Sequence, residues 1–203
     1  RSSDLDLIDG QVQFLKKETE PFKNIKSKYG TFYVTGNHEY YWKADEWMIR
    51  LKELGIHVLE NSSHNIRIKN TNFLVAGVTD LHAHNFFPEK KSDPAKCLMN
   101  LNPKEKYFKL LLAHQPKSAF SAAPLGFNLQ LSGHTHGGQY WPATWIIHAI
   151  QPFVKGINQL NQLTLYVSEG TGYWGPPTRL GTSSEITLLT LKRKTLFTHT
   201  ETL

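Results

Sequence analysis

Leu129-Gln130-Leu131-Ser132-Gly133-His134-Thr135-His136-Gly137-Gly138 joins a short apolar run of strand character to two histidines bounded by glycines. In extended backbone, residues i and i+2 project to the same side, so His134 and His136 would reach one centre or two adjacent ones. The glycines let the chain turn sharply and let a ligand approach the backbone. Imidazole suits zinc, iron, manganese and similar ions. Taken alone, the pair fits a metal site and a turn with two surface histidines about equally well.

Polar side chains follow two other strand-like runs as well. Gly36-Asn37-His38-Glu39 follows one of them, and His114 follows the other. Because ligands gather outside the carboxyl ends of strands in open α/β sheets, we expect these loops to share one rim with His134. Near the start of the chain, Asp6 and Asp9 interrupt an apolar segment, where a helix cap and a turn are the simplest interpretations.

Strand-like and helix-like segments alternate along the chain. Residues 12–28 predict a helix that Pro21 interrupts, and residues 44–54 predict a helix that ends at Gly55. Six short strands are predicted at 31–34, 57–59, 65–68, 73–76, 110–112 and 129–131. Two more, at 162–167 and 185–191, are predicted to form a closing hairpin. This pattern indicates an α/β layered domain dominated by sheet.

Composition bounds the class of protein. A chain of 203 residues with 39% hydrophobic and 20% charged residues predicts one globular domain spanning residues 1–203. The single cysteine, Cys97, excludes an internal disulfide framework. The formal net charge of +6 favours anionic partners such as nucleotides, phospholipid headgroups or a negatively charged membrane. Since the basic residues are scattered, no nucleic-acid partner is expected.

The chain shows neither a spanning apolar run nor a signal-peptide pattern, and it begins with Arg1. We therefore expect a processed, truncated or engineered N-terminus, with an anchor or targeting segment lost upstream.

In type and order, the polar motifs resemble those of calcineurin-like metallophosphoesterases. Gly36-Asn37-His38-Glu39, Ala113-His114 and Gly133-His134-Thr135-His136 match successive family motifs, and Asp6-Leu7-Ile8-Asp9-Gly10 looks like the tail of an earlier GDxxD motif. The chain is most similar to a bacterial branch with GDLVDG, GNHE, AHxP and GHTHGGQ motifs, many of whose members carry a membrane anchor or an export signal. The late segment 167–181 also resembles that branch.

This resemblance implies a four-layer α/β/β/α sandwich with a site for two divalent ions, manganese, zinc or iron, on its rim. Asp6 would bridge the ions, and His136 would serve the first of them. Asn37, His114 and His134 would complete the site of the second ion. The resemblance makes His38 a general acid for the leaving alkoxide, with either Asp6 or Asp9 as its partner.

Two departures from the family pattern bear on the first metal site. The family's first motif, an Asp-x-His on an earlier strand, has no counterpart before Asp6, and Leu5 replaces the glycine that precedes the bridging aspartate. We therefore expect an N-terminally truncated fold that lacks the first strand. Such a chain would bind one metal ion or none, with low activity.

Other polar and apolar residues suggest how a substrate would be held. Asp80 and His82 follow a predicted strand, and Arg179 lies in a loop rich in glycine and proline, so we expect all three to contact substrate. The apolar run 140–154 fits buried core, and it also fits a lip resting on a membrane. We slightly favour a lipid-linked or amphiphilic phosphate over a soluble one.

Three function classes compete. The leading one is a monomeric phosphodiesterase or pyrophosphatase acting on a phosphorylated small molecule or lipid, membrane-associated in the intact protein. The second is a non-catalytic phosphate- or metal-binding module that has lost the first metal. A metallohydrolase acting on amides or lactams ranks last, because the chain lacks a denser HxHxD histidine cluster.

Overall fold

The computed structural model describes residues 10–173 and 175–192, apart from the side chain of Ala143. Asp6 and Asp9, two residues of the sequence-predicted site, lie outside the described residues.

Helices and strands alternate as the sequence predicts. The helices are α1 (Val12–Thr19), α2 (Asn37–Tyr41), α3 (Ala44–Glu53), α4 (Ala119–Ala122) and α5 (Ala143–Ile150). The strands are β1 (Thr31–Tyr33), β2 (Ile56–Val58), β3 (Ser62–Ile68), β4 (Thr71–Gly77), β5 (Tyr107–Leu112), β6 (Leu129–Ser132), β7 (Gly156–Leu160) and β8 (Leu163–Val167). Short 3-10 helices lie at Glu20–Asn24, Ala83–Asn85, Pro88–Lys90, Lys96–Leu98, Pro116–Ser118, Ala123–Leu125 and His136–Gly138.

A six-stranded sheet in the order β3-β4-β5-β6-β8-β7 forms the centre of the fold. Strands β4, β5, β6 and β8 run parallel, and the outer strands β3 and β7 are antiparallel to their neighbours. Parallel neighbours end at the same edge of a sheet, so the segments that follow β4, β5, β6 and β8 start from one rim.

The layers confirm a mixed α/β sandwich. Trp47 and Leu51 of α3 are buried against Tyr33 and Val58 of a second, two-stranded parallel sheet, β1-β2. That small sheet lies close to β4, where a Cβ added to Gly77 would clash with the Cβ of Leu59, the residue after β2. On its other face, the six-stranded sheet packs on α4 in a cluster of Leu74, Ala76, Leu111, Ala119, Ala122, Phe127, Leu163 and Leu165.

The interrupted first helix, the α3 helix and the strand at 162–167 are confirmed, but the closing hairpin is wrong. Strand β8 pairs with β7 instead, through a turn in which Asn161 has a φ of 53°. Residues 185–192 form no strand, and Ile186 and Leu188 are 92% and 91% exposed. The alternation of apolar and polar residues in this segment therefore does not reflect burial of one face against a described sheet. No described helix has the length and apolar character needed to span a bilayer.

Candidate metal centre

The loop after β1 turns directly into helix α2 and presents Asn37 and His38 from the first positions of that helix. Glu39 is fully buried, and one of its carboxylate oxygens accepts a 2.5 Å hydrogen bond from the backbone N–H of Gly36. A glutamate that reaches back to the residue before its helix fixes the first turn. The buried Glu39 thus orients the two side chains that precede it.

His114, just beyond β5, brings three side chains together. Its Nε2 lies 3.1 Å from Oδ1 of Asn37 and 3.0 Å from Nδ1 of His134. The two imidazole rings meet edge to face with their centroids 4.8 Å apart. The Gly133 N–H donates to the His114 carbonyl, which joins the two loops at the rim. Sequence positions 37, 114 and 134 therefore converge on one small volume.

The segment after β6 differs from the extended backbone that the sequence suggested. His134 and His136 have φ values of 70° and 52°, in the left-handed region that residues other than glycine seldom adopt. The two side chains consequently meet different neighbours, His114 for the first and Arg179 for the second. The Thr135 hydroxyl between them donates to the Val154 carbonyl at 2.6 Å. Such conformations cluster at functional sites.

His136 is only 1% exposed, and its Nδ1 lies 3.4 Å from Nη2 of Arg179. Burial, aided by the positive charge of Arg179, lowers the pKa of His136 to about 4. The imidazole is therefore neutral at physiological pH, and a neutral imidazole is the form that ligates metals.

A cleft of about 200 Å³ opens beside these residues. Polar side chains of Asn37, His38, His134 and His136 line one part of it. The rest is lined by Thr135 and by three residues of α5 and its end, Ile147, Ile150 and Gln151. A ligand in the cleft would thus meet imidazole and amide groups on one side and aliphatic groups on the other.

Two of the separations among the three donor atoms fit a bound cation. In an octahedral site, two adjacent ligand atoms that each lie about 2.1 Å from the ion stand about 3.0 Å apart. The separations of 3.1 Å and 3.0 Å around His114 Nε2 match that edge. An amide oxygen and two imidazoles also form a donor set suited to manganese, iron or zinc. These residues therefore fit the metal ion that the sequence motifs imply.

The candidate metal site contains few of the side chains that usually ligate metal ions. No three His, Cys, Asp or Glu side chains between residues 10 and 192, Trp174 aside, gather closely enough to hold a metal ion. The third donor here is the amide of Asn37, and the expected bridging carboxylate, Asp6, lies outside the described residues.

Asp80 and His82 form a separate polar cluster with Gln115. The Gln115 amide nitrogen lies 3.0 Å from both oxygens of Asp80 and 3.1 Å from Nδ1 of His82. Asp80 is buried, whereas the His82 side chain is about half exposed. Neither residue lines the cleft beside His134. Their contact with substrate stays a prediction, while their link through Gln115 supports the loop that carries His114.

The guanidinium of Arg179 donates most of its hydrogen bonds to main-chain carbonyls. It donates to the carbonyls of Glu169, Gly170 and Gly172 and also lies against His136. Arg179 therefore ties the loop after β8 to the loop after β6. Phosphate binding by this side chain stays a prediction.

Sequence reasoning assigned no role to Glu39 or Gln115. The spacing of Gly36 and Glu39 is that of a capping box, and this was the available signal for the buried glutamate. No local pattern marks Gln115, because its partner Asp80 lies 35 residues away in the sequence.

Comparisons with known proteins agree on one family. A family model described as calcineurin-like phosphoesterase matches residues 6–138. A bovine protein named "Transmembrane protein with metallophosphoesterase domain" is 38% identical in an alignment that covers 92% of this chain and 44% of that protein. An uncharacterized metallophosphoesterase of Campylobacter jejuni is also 38% identical, over 93% of this chain and 49% of its own length.

A shorter relative, an uncharacterized metallophosphoesterase of Aquifex aeolicus, is 32% identical over 93% of this chain and 71% of its own. By contrast, this chain spans less than half the length of the bovine and Campylobacter relatives. Among solved structures, the sulfate thiohydrolase SoxB of Thermus thermophilus is similar with a TM-score of 0.47 and 13% identity, over 68% of this chain and 27% of that one.

Proposed function

This chain belongs to the calcineurin-like phosphoesterase family, and from that premise we propose that it is a metal-dependent phosphoester hydrolase. The observation that carries the proposal is the convergence of Asn37, His114 and His134 beside a cleft that His38 also lines. We further propose a phosphodiester or a pyrophosphate as the bond cleaved.

The roles of the residues follow from their chemistry and placement. Asn37 Oδ1, His114 Nε2 and His134 Nδ1 would hold the metal ion, and neutral His136 would face a neighbouring ion. When bound, divalent ions supply Lewis acidity towards phosphoryl oxygens and lower the pKa of water. His38 lines the same cleft and would donate its proton to the departing alkoxide oxygen.

Three sets of contacts favour stable positioning of these groups. The buried Glu39 holds the turn that presents Asn37 and His38, and the Asp80–Gln115 contact holds the residue next to His114. Catalytic groups fixed by neighbouring contacts lose less entropy when the substrate binds. Arg179 does the same for His136 through the loop carbonyls that it binds.

Turnover of bis(4-nitrophenyl) phosphate in the presence of Mn²⁺ tests the proposal. Replacing His134 with Asn should lower both turnover and Mn²⁺ affinity at least about tenfold, because it removes a ligand. His84→Asn is the matched control: this histidine is exposed and contacts the Leu81 carbonyl away from the cleft. The control should keep wild-type turnover and affinity.

If His134→Asn retains full turnover, the proposed site is wrong. Mn²⁺ binding that depends on His134 but brings no turnover would instead favour the second candidate, a metal-binding module without catalysis. That candidate draws support from the small donor set of the described residues. Metal stoichiometry in the same samples distinguishes one bound ion from two.

A further inference from the structure

Helix α5 is apolar and yet exposed. The exposed fraction is 73% for Trp145, 64% for Ile146 and 57% for Ile150, and Trp141 just before the helix is 60% exposed. Among residues 144–150, only Thr144 and Ile147 are even partly buried. Contiguous apolar surface of this kind marks an interaction site more often than a solvated helix.

The helix is seated on the protein along one side only. A Cβ on Gly138 would stand 2.8 Å from the Cα of Thr144, so the helix start rests directly on the loop after His136. Ile147, on the same side, lines the cleft. The opposite side carries Trp145 and Ile146, which are absent from the cleft lining. The outer face of α5 is thus surface in the described part of the chain.

This apolar surface continues into the cleft. Ile150 is exposed and lines the same cleft as His38 and His134. The His38 ring also contacts the ring of Tyr41, with 5.7 Å between centroids, and Tyr41 is 56% exposed. Exposed apolar and aromatic side chains therefore lie next to the candidate catalytic histidine and at the cleft that it lines.

The charge of this region suits an anionic surface. Residues 140–155 contain no Asp or Glu, and they end in Lys155. Lys155 pairs with Glu169 at 3.4 Å, so the attraction would come mainly from the net charge of +6 of the whole chain. An anionic bilayer complements such a charge, and apolar side chains flanked by tryptophan are typical of helices that lie in the bilayer interface.

We propose that α5 docks on an anionic lipid bilayer and that the phosphoester entering the cleft belongs to a lipid of that bilayer. Ile146 would rest against the acyl chains, and Trp145 would lie at the bilayer interface, where its indole N–H can donate to a headgroup or ester oxygen. The cleft would then open at headgroup level beside His38. The substrate class rests on the proposed function, whereas the docking surface does not.

Vesicle sedimentation tests the docking. The full chain should sediment with vesicles of phosphatidylglycerol and phosphatidylcholine, and less with phosphatidylcholine alone. The double variant Trp145→Ser/Ile146→Ser should lower the bound fraction at least tenfold. Phe14→Ser/Met99→Ser is the matched control, because it removes two side chains that are 74% and 76% exposed. Phe14 lies on α1 and Met99 just after the 3-10 helix Lys96–Leu98. Circular dichroism of each variant checks that it is folded.

A conservative variant gives a second measurement. Trp145→Phe should still sediment with the vesicles but should lose most of the blue shift in tryptophan emission that binding causes. The docking is overturned if the wild-type chain does not sediment with the vesicles or if the control variant loses binding equally. It is also overturned if the wild-type chain is a dimer and Trp145→Ser/Ile146→Ser makes it a monomer. A chain that binds vesicles but hydrolyses no phosphoester refutes the proposed function and leaves the docking intact.

Discussion

His136 shows how a single buried residue ties the candidate site to the stability of the chain. Its imidazole is almost fully enclosed beside Arg179, and its pKa falls to about 4 in the folded state. In the unfolded chain the same group titrates near pH 6.5. The folded state therefore favours the neutral ring, and the unfolded state takes up a proton first as the pH falls.

We predict that the stability contributed by neutral His136 is present above pH 6.5 and is lost as the pH falls towards 4. The slope is about 1.4 kcal/mol per pH unit between these values, and the total is about 3 kcal/mol. Urea unfolding of the metal-free chain with chelator, from pH 7.5 to 4, measures it against His136→Asn. As the pH is lowered, the free energy of unfolding of the wild type should fall more steeply than that of the variant. Equal pH dependence in the two proteins would contradict the lowered pKa of His136.

At the same scale, the identity of the candidate ligands could be predicted but their local backbone could not. Asn37, His114 and His134 were predicted from motif order, and the structure brings Asn37 and His134 within 3.1 Å of His114. The left-handed conformation of His134 and His136 was missed, because an apolar strand ending in HxH is compatible with a continued strand as well as with a turn.

At the scale of elements, the loop after β6 and helix α5 form one packed unit that depends on Gly138. This residue has a φ of 83°, and Thr144 leaves no room for a side chain. Gly156, at the start of β7, has a φ of 69° but nothing within 4 Å of an added Cβ. Both glycines therefore have a positive φ, but only at Gly138 would an added Cβ clash with another residue.

We predict that Gly138→Ala lowers the free energy of unfolding by about 1–3 kcal/mol more than Gly156→Ala does. Both variants bear the strain of an alanine in the left-handed region, so the difference isolates the contact with α5. Chemical denaturation of the two variants measures it. Equal losses would mean that α5 moves away from Gly138 at little cost.

Element prediction succeeded where local pattern and burial agree. Leu163, Leu165 and Val167 occupy alternate positions of β8 and are all buried. The strand was therefore predicted almost to its bounds. The partner β7 was missed, since Ile157 of that edge strand is 75% exposed and its segment contains two polar residues. Pairing between strands is a long-range property that one segment cannot reveal.

At the scale of the whole molecule, four parallel strands deliver their following loops to one rim. The α/β class followed from the sequence, and so did the common rim of the loops after β5 and β6. The third loop predicted for that rim follows β1, which belongs to the two-stranded sheet, and its Asn37 reaches the site through the contact with His114. The packing of α5 outside the core did not follow, since an apolar run is buried by default. The rim, the cleft and α5 together connect a candidate metal centre to an exposed apolar surface.

Asn37, His114 and His134 are the side chains proposed to hold a metal ion. Crystals grown with Mn²⁺ and inorganic phosphate, with data collected near the manganese absorption edge, test this site most directly. We predict an anomalous peak about 2.0–2.3 Å from His114 Nε2 and His134 Nδ1, with the Asn37 amide oxygen also coordinated. A saturated crystal whose anomalous peaks all lie away from these three side chains would contradict the account.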